Sequence, residues 1–390
     1  VLAAVALAVA VGFGVVAPAI PVFAATFGVG KTAAGAVISA FALMRFVSAL
    51  AGGRLVDAFG ERVILSAGIF IVAVSTGLAG LSRSYEQLLV LRAAGGVGSA
   101  MFTVSAVALL FRVVDSSHRG RASSLFQGGF LIGGLMGPLL GGFLTQQSIR
   151  LPFFVYAGSL LVAGAIGAVF LAGARLREES EATATGAPVR ATRLREAFGH
   201  RAYRTALVVN FGVGWGLFGV RMSLVPLFVT EAMGVGVVWV GVGFLCSSLA
   251  QAALLIPAGR YVDQAGRRPA MVLGGTVAGV AMLLVAVTTS LWLYLVAMLM
   301  FGAGSAVMGS APGAVVGDVM RGRGGKVVAV FQMSSDLGAI VGPLAAGLLA
   351  DTLSFGAAFA LTAAVLFAGV AMSVRMPETR QLAPVPPPGG

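Results

Sequence analysis

Four ionisable side chains stand inside long apolar stretches of this 390-residue chain: Arg45, Arg92, Arg221 and Asp336. In hydrocarbon such groups are costly, and they face a protein interior or a water-filled cavity. An arginine stays charged and can hold a carboxylate or an anionic ligand with its fork of N–H donors. An aspartate can take up and release a proton, and so pass from ion-pair partner to neutral acid. A pair that a proton can open biases a conformational equilibrium. Enzyme chemistry finds little here. His118 and His200 both lie in polar segments, and neither a nucleophile–base pair nor a metal-ligand cluster accompanies them. Cofactors and metals are not expected, and without a phosphate-binding loop ATP is not the expected energy source.

The elements that carry these charges follow from composition. Hydrophobic residues make up 58% of the chain and charged residues only 10%, with a mean hydropathy of +0.99. A soluble chain of this length would carry roughly a quarter charged residues. Apolar runs repeatedly reach the ~20 residues that cross a bilayer as a helix. The fold class is therefore an all-α membrane protein. A β-barrel would show short alternating segments instead. Fifty-six glycines suit close helix packing in lipid. The single cysteine, Cys246, lies in an apolar run, so no disulfide within the chain is possible.

Apolar segments fall at 1–25, 32–53, 63–81, 87–111, 120–146 and 152–173, then at 205–229, 236–258, 270–289, 292–316, 327–350 and 354–374. That predicts twelve helices in two sets of six: an N-terminal half (1–173), a linker (174–204), a C-terminal half (205–376) and a Pro/Gly-rich tail (377–390) expected to be disordered. The first segment is long and lacks a basic flank, so it reads as a span and not a signal peptide. Ala191–Arg204 has the composition of a short basic amphipathic helix on the membrane surface.

The net charge of +12 would suit nucleic acid were it not for where the charges lie. Twenty basic residues, Arg54, Arg62, Arg267 and Arg268 among them, fall in one set of alternate loops, the linker and the tail; the opposite loops hold Lys31, Arg83 and Arg150. By the positive-inside rule both termini and the linker face the cytoplasm. Anionic lipid, not nucleic acid, is the expected contact.

The two halves repeat. Gly53-Arg54-Leu55-Val56-Asp57-Ala58-Phe59-Gly60-Glu61-Arg62 returns 206 residues later as Gly259-Arg260-Tyr261-Val262-Asp263-Gln264-Ala265-Gly266-Arg267-Arg268. Gly96–Ala100 matches Gly302–Ala306 at the same offset, and Gly137-Pro138 matches Gly342-Pro343 at 205. Each ten-residue stretch reads as a charged loop between helices. Two homologous halves imply a path at their interface, opened by rocking.

At these residues the chain resembles the major facilitator superfamily over its full length. Gly53, Leu55, Asp57, Gly60 and Arg62 match the family's G-x-L-x-D-x-x-G-R-[RK] signature, with Glu61 where a basic residue is usual. Gly259, Asp263, Gly266, Arg267 and Arg268 keep the second copy. The resemblance implies gating loops that latch the cytoplasmic side; a plain solvated turn is the bland alternative. Arg92-Ala93-Ala94-Gly95-Gly96 is similar to the family motif whose membrane arginine is linked to proton coupling. Its repeat counterpart is Met298, so the fold does not require the charge. The alternative is an arginine that snorkels to water. Gly133-x-x-x-Gly137-Pro138-x-x-Gly141-Gly142 matches the pattern associated with antiporters. Its glycines at i, i+4 and i+8 make a smooth groove, and Pro138 can bend the helix. Gly12-x5-Pro18-Ala19-Ile20-Pro21 resembles an element of twelve-helix drug exporters.

In the family fold, helices 2 and 11 adjoin across the two halves. Arg45 lies about 12 Å, and Asp336 about 15 Å, above the cytoplasmic helix ends at 1.5 Å per residue. The two are therefore expected to face each other, either as a proton-operated pair or as a static one. Helices 1, 4, 7 and 10 line the family's cavity. Candidate lining residues are Phe13, Met101, Asn210, Trp215, Phe218, Arg221, Met298 and Phe301, and Arg221 has Glu231 as an alternative partner. Helix 1 carries no acid, and three membrane arginines stand against one aspartate. That disfavours a lipophilic dication and favours neutral or anionic substrates. The reading is a proton-coupled exporter of small amphipathic molecules in the inner membrane, acting as a monomer, with Arg92, Asp336 and Arg45 as coupling candidates. The rivals are an uptake or exchange carrier for organic anions or sugars, and a membrane scaffold or receptor without transport.

Overall fold

The computed structural model describes residues 2–113, 119–172, 194–319 and 325–380. Most of the linker and the tail beyond Arg380 lie outside these residues, as do the expectations that rest on them. The described chain is helical throughout. Helix α1 runs as Leu2–Val16 and Ala19–Ala25, interrupted at Ala17-Pro18. Then come α2 (Lys31–Phe59), α3 (Glu61–Gly80), α4 (Tyr85–Val113), α5 (Arg119–Gln147) and α6 (Leu151–Ala172). A short helix, Leu194–Gly199, precedes α7, which begins at Arg201. The rest are α8 (Val238–Ala265), α9 (Arg267–Val287), α10 (Leu291–Val319), α11 (Gly325–Thr352) and α12 (Phe355–Val374). Among the described residues, ten helical spans are long and apolar enough to cross a membrane. The other two helices, α5 and α6, are 29 and 22 residues long.

Two corrections to the sequence reading concern boundaries. The stretches 53–62 and 259–268 are not loops. Helix continues to Phe59 and Ala265, and the chain reverses at single residues, Gly60 (φ 80°) and Gly266 (φ 111°). Only glycine takes such angles without strain. The helices run past their apolar stretches because their polar last turns are still good helix. The face that carries these two turns is called the basic face below. At the opposite, far face, Gly28 (φ 74°) and Gly234 (φ 64°) do the same work. These four are the positive-φ residues among those described, and they form two pairs at the 206-residue offset of the repeat. The second correction concerns α7, which starts four residues earlier than its expected segment and widens to π-helix at Gly214–Val220 and Phe228–Ala232 around Pro226. A proline cannot donate to the ladder, and a local π turn is one way a helix absorbs that loss.

Separate cores form in the two parts of the chain. Leu65, Ile69, Phe102, Tyr156 and Leu160 pack together in α3–α6, and Tyr203, Phe244, Met282, Tyr294 and Phe359 in α7–α12. Glycine sets the closest helix approaches. A Cβ on Gly137 would lie 2.7 Å from Gly14 Cα, and one on Gly141 2.2 Å from the Val15 carbonyl, so the α5 glycines seat α1. Gly214 and Gly338 seat α7 on α11 in the same way. Among the described residues, the two most extensive crossings between the parts each set a glycine against a Gly-Pro turn. Gly35 of α2 meets Pro343 of α11, and Gly241 of α8 meets Pro138 of α5. Gly142 completes the second crossing against Val238.

These contacts give a test. Gly141→Val forces a branched side chain into the Val15 backbone, and overpacking of this kind costs about 1–3 kcal/mol. The purified variant is expected to unfold several degrees below wild type in detergent. Gly134→Ala, with open space around the new methyl group, is expected to unfold with wild type. Scanning fluorimetry reads both, and a Gly141→Val midpoint equal to wild type would refute the close α1–α5 approach.

Candidate functional site: a charged crossing beside a central cavity

The α2–α11 crossing carries charge along its length. At the far face, Asp351 ends α11 and caps the first turn of α2. Its carboxylate accepts from the Lys31 N–H (2.8 Å), the Thr32 N–H (2.8 Å) and the Thr32 hydroxyl (2.7 Å). A carboxylate at a helix N-terminus meets unpaired N–H groups and a favourable dipole. The Lys31 ammonium lies 3.9 Å from Asp351, 3.4 Å from Glu231 of α7 and 5.1 Å from the Phe355 ring centre. One helical layer in, Ser39 donates to the Ile340 carbonyl at 2.7 Å. Deeper still, Arg45 donates to Asp336, with both side chains half-buried. These polar contacts between α1–α6 and α7–α12 lie in the far-face portion of the interface. The Arg45–Asp336 pair is the one nearest the basic face.

Beside that pair lies a cavity between the two sets of helices. Its lining includes Phe13, Phe41, Arg45, Arg92, Phe218 and Met222. Arg92 is 2% exposed and does not snorkel. Its guanidinium sits 4.5 Å from the Phe41 ring centre, a cation–π contact. Gly96, one turn along α4, lets the two helices close to this distance, since a Cβ there would be 2.3 Å from the Phe41 carbonyl.

Of the residues expected in the cavity, Phe13 and Phe218 line it, with Phe218 48% exposed. The structure places the others elsewhere. Met101 packs on Ile64 of α3. Asn210 donates to the Phe331 carbonyl (2.7 Å) and to Ser334 (3.2 Å), tying α7 to α11. Trp215 is buried and donates from Nε1 to Thr362 of α12 at 3.2 Å. Met298 is fully buried in the core of α7–α12. Phe301 lines a separate, smaller cavity with Leu217, Ser305 and Leu366. Arg221 is 5% exposed and turned to α8, where it donates to Ser247 at 2.9 Å and sits 4.7 Å from the Phe244 ring centre. Glu231, offered as its partner, pairs with Lys31 instead, because Arg221 sits nearly three turns deeper in α7. Sequence reading missed Phe41 and Met222 in the lining, and Asp351 and Lys31 at the far face. The charges at the span ends were a usable signal for that second pair.

At the basic face, the second charged turn is an ordered cluster. Arg267 donates from Nε to Asp318 of α10 (3.0 Å) and from Nη1 to Asp263 (3.1 Å). Arg268 contributes its backbone. Glu378, beyond α12, accepts from the N–H groups of Arg267 (2.9 Å) and Arg268 (3.0 Å), and Arg380 donates to the Gln264 carbonyl. Gly259 has open space around it. In the first copy, the side chains of Gly53 and Asp57 lie outside those described; Gly60 makes the turn, and Arg62 follows in α3. In the antiporter pattern, Gly133, Gly137 and Gly141 face α1, while Gly142 faces α8.

A set of membrane-crossing helices on either side of one cavity, with charge held at their crossing, defines a polytopic membrane transporter and not an enzyme. The chain belongs to the Major Facilitator Superfamily, whose model matches residues 2–250 and 222–389. Among curated relatives, "Multidrug resistance protein 1" of Bacillus subtilis (strain 168) is 29% identical over 160 residues, 41% of each chain. "Quinolone resistance protein NorA" of Staphylococcus aureus (strain Mu50 / ATCC 700699) is 25% identical over 210 residues, 53% of this chain and 52% of that one. The chain spans about half the length of the curated relatives it matches. Among solved structures, a bacterial homolog to the human lysosomal transporter Spinster, inward-facing and unoccupied, has a TM-score of 0.74 at 17% identity, covering 96% of this chain and 93% of that one. A POT family transporter in complex with a thioalcohol-conjugated peptide has a TM-score of 0.78 at 10% identity, covering 96% and 94%. At these identities the likeness is one of fold.

The basic-face cluster yields a pH prediction. Burial pushes the Glu378 carboxyl up, but N–H donors from Arg380, Arg267, Arg268 and Thr379 outweigh it and hold the group below its ordinary 4.5. A depressed carboxyl stabilises the docked segment above its ordinary value, and the contribution is lost as pH falls through the lowered one. Exchange protection of the Arg267 and Arg268 amides is expected to stay constant from pH 8 to pH 5 and to fall in stronger acid. Glu378→Gln is expected to lower it about tenfold at neutral pH, in keeping with a charged hydrogen bond. Equal protection in the variant would show that Glu378 does not hold the turn.

Proposed function

We propose that this chain is a proton-coupled exporter of small amphipathic molecules, neutral or anionic, working by alternating access in the inner membrane with its basic face to the cytoplasm. The observation that carries the reading is the Arg45–Asp336 pair, which joins the two halves beside the central cavity. The names of the curated relatives, which speak of multidrug and quinolone resistance, lend it support.

In the arrangement seen, the far face is closed by Asp351, Lys31 and Ser39 on top of this pair. Rocking to the opposite state parts α2 from α11 and exposes Asp336 to the outer side, where a proton neutralises it. A neutral Asp336 no longer holds Arg45 by charge, so the cost of separation falls. On return, the proton leaves to the cytoplasm and the pair reforms. Protons move in as substrate moves out. Arg92 cannot itself carry that proton, because guanidinium keeps its charge at any working pH; its part in coupling would be to hold charge beside the cavity.

Inside-out vesicles acidified by respiration test this. With a pH-sensitive dye, wild type is expected to release protons on addition of an amphipathic substrate. Asp336→Asn, present in the membrane at equal amount, is expected to lose at least nine-tenths of that response while keeping substrate counterflow. Proton-driven efflux surviving intact in the variant would remove Asp336 from the coupling step.

A further inference from the structure

Among the described residues, one cation in the cavity lining has no carboxylate partner. Arg45 is paired with Asp336. Arg92 has no such partner. Among the described residues no carboxylate pairs with its guanidinium; the uncharged Tyr156 phenol is its titratable neighbour, and its Nε is buried with its hydrogen-bonding capacity unused. What touches it is the face of Phe41. An unpaired buried cation is expensive, and a ring face offsets only part of that cost. The fold itself does not ask for it, since the repeat places buried Met298 at the equivalent position.

The surroundings say what would complete the site. Phe13 and Phe41 stand with ring centres 6.3 Å apart, tilted by 35°, and Phe218 closes the lining from α7. Flat apolar matter packs well against such rings. A carboxylate is the group that matches an arginine fork with two parallel hydrogen bonds. Arg221 offers no comparable site, because it already donates to Ser247 and does not line the cavity.

We propose that Arg92 is the anion-binding group of the central cavity, and that the preferred substrates are aromatic monocarboxylates whose ring lies among Phe13, Phe41 and Phe218. This rests on the cavity being the substrate site. It assigns substrate charge to Arg92 and the titrating proton to Asp336, two different groups in one cavity.

The test is equilibrium binding to purified full-length protein in nanodiscs, with no gradient present. The probes are 2-naphthoate, 2-naphthamide and a naphthyl trimethylammonium of similar size. Wild type is expected to bind naphthoate at least about tenfold more tightly than the amide, the range of a charged hydrogen bond, and to bind the ammonium least. Arg92→Gln is expected to bring naphthoate and amide within about twofold of each other. Arg92→Lys, which keeps the charge but not the fork, is expected to retain part of the preference. Arg221→Gln is expected to keep it all. Gel-filtration profile and thermal midpoint establish that each variant is folded. The proposal is overturned if folded wild type binds none of the probes, if it binds the amide or the ammonium as well as the acid, or if the preference survives Arg92→Gln. Because no gradient is used, such a result leaves proton-coupled efflux in vesicles standing. A clear preference with no proton movement would instead remove the efflux reading and keep the site.

Discussion

Backbone must touch backbone for this molecule to hold together. Lipid gives two apolar helices little reason to prefer each other to acyl chains, so association depends on close van der Waals contact. Glycine supplies that contact at each main junction: Gly137 and Gly141 under α1, Gly214 and Gly338 between α7 and α11, Gly35 and Gly241 at the two crossings. The junctions differ in what else they carry. Those within a set of helices are extended and add buried hydrogen bonds, as Asn210 does between α7 and α11. Of the crossings between sets, the one of α2 with α11 adds ion pairs.

The two crossings are also unequal, although the repeat makes them counterparts. Gly35 on Pro343 and Gly241 on Pro138 are the same contact made twice. Yet among the described side chains the ion pairs between the two parts fall at one crossing only. The repeat offset places Gln251 opposite Arg45, Leu131 opposite Asp336, Val237 opposite Lys31 and Gln146 opposite Asp351. The repeat gives two matching glycine–proline contacts, and the ion pairs stand beside one of them. The α2–α11 seam carries the ion pairs of Arg45 with Asp336 and of Lys31 with Asp351.

How much of this the sequence discloses depends on the kind of residue. The repeat, the helix count and the meeting of Arg45 with Asp336 were legible, because a charge in hydrocarbon has few places to go and its depth can be counted in residues. The facing of Met101, Met298 and Phe301 was not. A membrane helix is apolar on its lipid side and on its protein side alike, so hydrophobic periodicity carries no direction. The ends of α2 and α8 were misread for a related reason. Polar last turns look like loop in hydropathy, although nothing in Gly53–Phe59 stops a helix until Gly60 takes a positive φ. Arg221 shows the limit of the charge argument itself. Its burial could be foreseen, but not that a serine hydroxyl and a phenylalanine face would receive it in place of Glu231.

Helix α2 links the two charged groups of the cavity. Phe41, under Arg92, and Arg45, on Asp336, are four residues apart and so share one helix face, one turn apart. Gly96 holds this same turn of α2 against α4, with space for neither a side chain nor a slip. Arg92 therefore travels with α2, whereas Asp336 belongs to α11 on the other side of the seam. Any motion that opens the seam changes the Arg45–Asp336 distance and leaves the Arg92–Phe41 contact intact. On the roles proposed above, a ligand on Arg92 would be carried by one half and a proton on Asp336 by the other, and the two would be coupled through the opening and closing of the seam, which is the condition for exchanging one against the other.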